Sequence, residues 1–261
     1  MDISVDFTAG LPQLDIHTLS EDWALATSLQ NHWELLAQDM GLRPSAWIDS
    51  RGDRMYGAVM ALRTEFLLSD PLREDEVFQA RTRIQAIRKP HSISRTDFIV
   101  DGVTKASVDL VTSFVKRARH GSNKKFSSVR DIWKSDDLWP ADVEHQLECH
   151  HAFKGMSAQE LTVQMRYEVN RIQDFNTADF MYFKNFVRIA KAAEWYANRD
   201  QPTRLTRKRA CYFYRNVEDG DIVTAHVGRQ GDQTTTILTD SDDQRIFVSL
   251  AETPEVAVKA R

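Results

Sequence analysis

The chain has 261 residues, 42% of them hydrophobic and 28% charged, which is enough for one large domain or two of ordinary size with a substantial core. Its net charge of −4 argues against duplex nucleic acid as the main partner, because a phosphate backbone calls for a broad basic surface. Two cysteines, Cys149 and Cys211, make no disulfide framework, the acidic start MDISVDFTAG is unlike a basic leader, and no apolar run nears the ~20 residues that span a bilayer. The expectation is a soluble cytoplasmic protein with no membrane partner.

Ser20 followed by Glu21 and Asp22 reads as a helix start, a hydroxyl N-cap ahead of two acids placed at the positive end of the helix dipole. Trp23, Ala26, Leu29, Trp33, Leu36 and Met40 recur at helical spacing, and Gly41 with Pro44 supplies the stop. A first helix is predicted over 21–40. RMYGAVMALRTEFLL (54–68) reads as a strand and PLREDE (71–76) as a turn. VFQARTRIQAIRK (77–89) alternates as one face of a half-buried strand should. Asp101-Gly102 is a hairpin signal between HSISRTDFIV and the returning strand TKASVDLVTSFVKRA.

Residues 117–151 are rich in Lys, Ser and Asp without a clear period, and read as a connecting segment with a short helix near 142–149. LTVQMRYEVN (161–170) is a strand. It leads to QDFNTADFMYFKNFVRIAKAAEWYAN (173–198), a polar turn followed by a helix around which the rest of the chain is arranged. Phe183, Phe186, Ala190, Ala193 and Ala197 mark one face at helical spacing. Phe180, Val187, Ile189 and Tyr196 widen it, so this helix should be largely buried inside an antiparallel sheet. ACYFYRNV, DIVTAHVGR, TTTILTD and QRIFVSLAE complete a second set of strands, and ETPEVAVKAR is a frayed tail.

LREDEVFQA (72–80) and VEDGDIVTA (217–225) match in pattern position by position, each after a long helix and a strand and before a hairpin-connected pair. Duplication is the economical reading. The predicted domains are 1–140 and 141–261, each a helix with an antiparallel sheet.

This arrangement resembles the hot-dog fold, and QDFNTADFMYFKNFVRIAKAAEW is similar to the segment leading into the helix of hot-dog acyl-CoA thioesterases. That family carries Asp-x-Asp, a short loop and an aromatic-Asn-aromatic step; the counterparts here are Asp174, Asn176 and Phe183-Lys184-Asn185-Phe186. HWELLAQDMGLRPSAWIDSRGDRMYGA (32–58), taken with DFNTADFMYF, also resembles a narrower double hot-dog family of natural-product biosynthesis, typified by the bifunctional acyltransferase/decarboxylase of the leinamycin pathway. The resemblance implies an α+β double hot-dog, an intramolecular pseudo-dimer that is monomeric or pairs again as a homodimer. It implies transfer of a short acyl group from acyl-CoA, by way of a tyrosine and with decarboxylation, to an acyl carrier protein. Coenzyme A thioester is then substrate, phosphopantetheine sits on the partner, and no resident cofactor is expected. Thioester hydrolysis, dehydration or isomerisation is the alternative chemistry, and carrier-protein binding without turnover is the non-enzymatic one.

The residues admit two readings each. Tyr56 is the position where the resemblance places the acylated tyrosine; its phenol, with an ordinary pKa of ~10, needs a base such as His32 or a cation such as Arg54. Otherwise it is an aromatic packing a strand on a helix. His32 is a base or a satisfied, buried side chain. Asn176 replaces the thioesterase carboxylate, so it either contacts a substrate carbonyl or caps the helix. Asp174 and Asp179 are carboxylates for substrate or catalysis, or turn and cap residues. Tyr182 lines a pocket or belongs to the core. The start of either helix can supply unsatisfied amides to a developing oxyanion. Cys149-His150-His151 with His145 has no second ligand pair, so no metal is expected. Lys116-Arg117-Arg119, Lys124-Lys125 and Arg204-Arg207-Lys208-Arg209 suit coenzyme A phosphates or an acidic carrier, or else form a solvated face.

Overall fold

In the computed structural model the described residues are 1–118, 122–130, 132, 141–200 and 204–254, without the side chains of Ser45, 141–143 and Val163. The chain falls into two compact units, Met1–Cys149 and His150–Arg261. Arg119 and most of the predicted frayed tail lie outside the described residues.

The first unit runs β1 (Asp2–Thr8), α1 (Glu21–Met40), β2 (Tyr56–Phe66), β3 (Val77–Arg88), β4 (His91–Val100), β5 (Val103–Arg117) and β6 (Phe126–Ser128), followed by α2 (Ala141–Phe153), which crosses the boundary. Its strands pair antiparallel in the order β1-β3-β4-β5-β2, with β6 on the end of β5. β1 and β6 escaped the sequence reading, because one lies in an acidic terminus and the other is three residues long. In the second unit come β7 (Thr162–Glu168), a one-turn helix α3 (Arg171–Asp174), α4 (Phe183–Asn198), β8 (Lys208–Phe213), β9 (Ile222–Gln230), β10 (Gln233–Thr239) and β11 (Arg245–Glu252). Their antiparallel order is β7-β9-β10-β11-β8.

Both sheets therefore carry one topology, and the repeated acidic turn is built the same way in each. Asp75 N donates to Ala9 O at 2.9 Å and Ala9 N to Glu76 O at 2.8 Å; Gly220 N donates to Val169 O at 2.9 Å and Val169 N to Asp221 O at 3.0 Å. Asp75 and Gly220 both have positive φ, 66° and 78°, which explains why a short acid can stand where the other copy has glycine.

α1 begins and ends where its caps require: Ser20 Oγ accepts from Trp23 N at 3.4 Å, and Gly41 takes the left-handed conformation at φ 65°. Its buried face, however, is turned away from the predicted one. Glu21, Ala24, Leu25, Ser28, Leu29, Asn31, His32, Leu35, Leu36 and Ala37 face the core, while Trp23, Ala26, Trp33 and Met40 are only half-buried. Counting apolar residues cannot find a face that contains Glu21, Ser28, Asn31 and His32. Three of these polar groups, Glu21, Asn31 and His32, meet hydroxyls on the sheet, as where Thr64 donates to Glu21 at 2.9 Å and Asn31 donates to Thr82 at 3.0 Å; the buried Ser28 hydroxyl has no hydrogen-bond partner among the described residues. α4 follows the prediction better, burying Phe183, Phe186, Val187, Ile189, Ala190 and Ala193, although Tyr196 is exposed and the buried set includes Asn185 and Glu194. Among the described residues no helix is long and apolar enough to cross a membrane.

Gly57 sits where β2 passes under α1, and a Cβ there would fall 2.5 Å from two ring carbons of Trp33. Trp33 in turn packs edge-on against Trp47, with centroids 5.1 Å apart, so the ring has little room to retreat. Gly57→Ala is expected to destabilise the chain by about 1–3 kcal/mol, the range for an overpacked core. Gly228→Ala, whose Cβ would meet Leu161 Cδ2, the far end of a rotatable side chain, at 2.4 Å, should cost less. Urea midpoints of the two variants test the order.

Candidate active site

The two long helices start very differently. α1 opens with a hydroxyl cap and two acids, Glu21 and Asp22, which already satisfy its dipole. α4 opens on Tyr182, with no side-chain cap and no acid in its first turn, and Lys184 adds positive charge there. First-turn amides without a side-chain cap and a helix dipole unopposed by acids favour a developing oxyanion, so of the two helix starts that of α4 is the better candidate, although Asn185 N already donates to Tyr182 O at 2.8 Å.

The loop that delivers the chain to this point is tightly tied. Asp174 is fully buried; its carboxylate accepts from Asn170 N at 2.9 Å, from Tyr167 Oη at 2.8 Å and from Arg188 Nη2 at 2.9 Å. Its backbone carbonyl accepts from Tyr182 N at 2.8 Å and from Asn185 Nδ2 at 3.0 Å. Asp174 thus locks the start of α4 in place, and its oxygens are taken by the protein. Sequence reasoning quoted Asn185 only as part of the aromatic-Asn-aromatic step and missed Tyr167 and Arg188, because β7, the loop and α4 meet only on folding.

Asn176 does not cap α4. Its Oδ1 accepts from Ala178 N at 3.0 Å and Phe180 N at 3.2 Å, so it organises the exposed turn ahead of the helix. Asp179 stands in that turn at φ 63°, with its side chain 47% exposed and paired to Arg171 at 2.8 Å. Tyr182 packs edge-on to Phe183 at 5.0 Å, and burial raises the pKa of its phenol, which stays protonated.

Tyr56, Arg54 and His32 belong to the first unit. Tyr56 Oη accepts from Arg117 Nη1 at 3.1 Å, and the Arg54 and Arg117 guanidiniums lie 5.4 and 4.8 Å from its ring centroid. The cation expected beside the phenol is therefore present, joined by Arg117. The expected base is not. His32 is fully buried under α1, its Nδ1 held at 2.8 Å by Ser94 Oγ and its Nε2 at 2.8 Å by Thr112 Oγ1. Burial lowers its pKa to about 3, so it is a neutral ring in a hydroxyl cage.

The remaining signals dissolve into structure. His150 donates to Phe213 O at 3.0 Å, Cys149 Sγ lies 3.6 Å from His145 Nε2, and among the described residues no group of three or more metal-binding side chains converges. Of the basic clusters, Lys116 is clamped by Asp49 and Asp53, Arg204 pairs with Asp232, Arg207 with Glu252, and Arg209 is a buried core residue.

No family model matches this chain, and no curated protein does. Solved structures match along its whole length. An acyl-ACP thioesterase from Bacteroides thetaiotaomicron superposes with a TM-score of 0.64 at 13% identity, over 97% of this chain and 98% of that one. A protein described as an oleoyl thioesterase from Lactobacillus plantarum gives 0.71 at 12%, over 100% and 98%. The 12:0-ACP thioesterase of Umbellularia californica gives 0.66 at 11%, over 97% of each. The fold is a hot-dog fold. Likeness at this level of identity speaks for the fold, and the chemistry has to come from the site. In this hot-dog chain the start of α4 has no side-chain cap, Asp174 is its anchor, and Tyr56 carries two arginines.

Proposed function

We propose that the chain is a double hot-dog enzyme that processes acyl thioesters, with the start of α4 receiving the thioester carbonyl oxygen. The observation that carries this reading is the contrast between the two helix starts: α4 alone has no side-chain cap and no acid in its first turn. Amides aimed at an oxygen that becomes negative stabilise the transition state more than the ground state.

Hydrolysis is the reading this site supports best. Asp174 is committed to Arg188 and Tyr167, and His32 is buried, which leaves Asp179 as the carboxylate of the lead-in turn that reaches solvent. Asp179 takes a proton from water, the resulting hydroxide adds to the carbonyl, and the tetrahedral intermediate expels the thiol, which recovers the proton. The second reading is acyl transfer through Tyr56, with or without decarboxylation, to a carrier protein. It is favoured by the guanidinium that donates to the phenolic oxygen, a contact that would stabilise a phenolate nucleophile.

Offering the protein a series of acyl-CoA thioesters, methylmalonyl-CoA included, separates the two. Free acid and thiol, reduced about 10²–10⁴-fold by Asp179→Asn and retained by Tyr56→Phe, establish hydrolysis. An acyl adduct in the intact mass that Tyr56→Phe abolishes establishes transfer. Release of neither product from any thioester offered refutes both.

A further inference from the structure

α4 lies against one face of β9 and β10, and the opposite face carries a cavity. Thr236 on β10 donates to Glu194 of α4 at 2.9 Å, which fixes the helix side of the strand. Side chains alternate along a strand, so Thr235, Ile237 and Thr239 point away from α4. Register puts Gly228 opposite Thr235 and His226 opposite Ile237. The segment 156–161, between α2 and β7, is tied to this reverse face at both ends. At one end Arg245 donates through Nη1 to Met156 O. At the other, a Cβ on Gly228 would fall 2.4 Å from Leu161 Cδ2, so the glycine lets that leucine close onto the sheet. The cavity these residues line has a volume of about 460 Å³ and belongs wholly to the second unit. That size holds a small molecule.

The strand register gives the cavity an apolar end and a polar one. Leu161 over Gly228 and the fully buried Ile237 make the first. At the second, Thr239 pairs with Arg245 across β10 and β11, and its hydroxyl lies 3.2 Å from His226 Nε2. Arg245 is half-buried. Its contacts among the described residues are Met156 O and the ring of Tyr214, whose centroid is 5.5 Å from the guanidinium carbon; its Nε is buried without a hydrogen-bond partner, and no carboxylate pairs with it. A guanidinium partly withdrawn from water with no counter-charge invites an anion, and its planar fork suits a carboxylate. Burial lowers the pKa of His226, against the pull of Asp243, so this ring adds no second cation. Asp243 stands exposed at the same end, where water and salt screen its charge.

We propose that this cavity binds a carboxylic acid with an apolar chain, its carboxylate on Arg245 and Thr239 and its chain along Ile237 toward Leu161. A wholly apolar molecule would leave the guanidinium unpaired, and a small inorganic anion would leave the apolar end empty; a chain-bearing acid uses both. The source of the acid rests on the reading of the chain as a thioester hydrolase, since hydrolysis releases such an acid as its product.

Calorimetric titration of the full chain with octanoate, octanamide and 2-aminooctanoate tests it. Octanoate should bind at least about 10-fold more tightly than octanamide, the advantage of a hydrogen bond to a charged group over one to a neutral group. Arg245→Gln should abolish that preference and Arg245→Lys should keep part of it. Asp243→Asn, which removes an exposed opposing charge, should tighten octanoate about 2–5-fold. Ala158 lines the cavity, so Ala158→Trp should block octanoate without touching a charge; thermal melts check that each variant is folded. Equal affinity for octanoate and octanamide, a preference that survives Arg245→Gln, unchanged binding in Ala158→Trp, or no binding at all overturns the site. Tighter binding of 2-aminooctanoate than of octanoate overturns it too, assigning the cavity to a zwitterion shared by Arg245 and Asp243. Thioester turnover is followed on the unaltered protein alongside. Its absence refutes the proposed function while leaving an Arg245-dependent preference for octanoate standing.

Discussion

Arg209→Ala is expected to lower the unfolding free energy by about 3–5 kcal/mol, the cost of stripping one partner from a buried ion pair. Arg209 is 1% exposed, and its two terminal nitrogens donate to the two oxygens of Glu194 at 2.8 and 2.9 Å. Ser249, Thr236 and Thr206 join the network, with hydrogen bonds of 2.8, 2.9 and 3.3 Å to one member of the pair. Without Arg209 the Glu194 carboxylate would stay under α4 with hydroxyls alone to hold it. Replacing both partners with apolar residues, Arg209→Met with Glu194→Leu, should recover most of the loss, because two desolvation costs vanish together. A double-mutant cycle from urea unfolding measures the difference. If Arg209→Ala unfolds at the same urea concentration as the parent chain, the pair does not hold α4 to its sheet.

Acidification should destabilise the chain well before its carboxylates titrate. His32 has a folded pKa of about 3, against 6.5 for the free side chain. A group depressed on folding contributes stability that is complete above the unfolded value and is lost as pH falls from there toward the folded one. The window is therefore pH 6.5 down to 3, and its full depth is on the order of 5 kcal/mol at ~1.4 kcal/mol per pH unit. His150, also lowered by burial, acts in the same direction. Urea midpoints between pH 7 and pH 4.5 should fall steadily in the parent chain and more gently in His32→Gln. Parallel slopes for the two would mean that the hydroxyl cage of Ser92, Ser94 and Thr112 accommodates the imidazolium without cost.

The two predictions share a physical origin. Each helix presents polar residues to its own sheet: Glu21, Asn31 and His32 from α1 in the first unit, and Glu194 from α4 in the second. An unpartnered polar group in these places would cost more than an apolar one contributes, so the networks are satisfied almost atom by atom. They pin the register of each helix over its strands more narrowly than aliphatic packing alone would.

How much of this was readable in advance depends on whether the signal was local. The bounds of α1 were legible because Ser20, the two acids and Gly41 act within a few residues of themselves. The hairpin at Asp101-Gly102 was legible for the same reason, with φ of 47° and 80° at the two positions. The acidic turns at 72–80 and 217–225 identified the duplication because a turn is specified by its own sequence. Of the candidate site residues, Tyr56 and Arg54 do meet, being two apart in the chain. Asn176 and Asp174 fall on one loop, each held differently from the way its type alone implied.

The amino-acid sequence by itself determined most of the helices and strands, β1, β6 and the one-turn α3 excepted, and that the pattern occurs twice, since capping, turn chemistry and side-chain period act over less than one element. Only the tertiary structure decided which side of α1 is buried, that His32 is a caged neutral ring, that Asp174 is an anchor, and that Arg209 lies in the core while Arg51 and Arg54 stay in the open. Those outcomes turn on partners many tens of residues away, as Thr112 is from His32 and Lys116 from Asp49. A polar side chain's role is set by what neutralises it, and that is known only once the strands have been brought together.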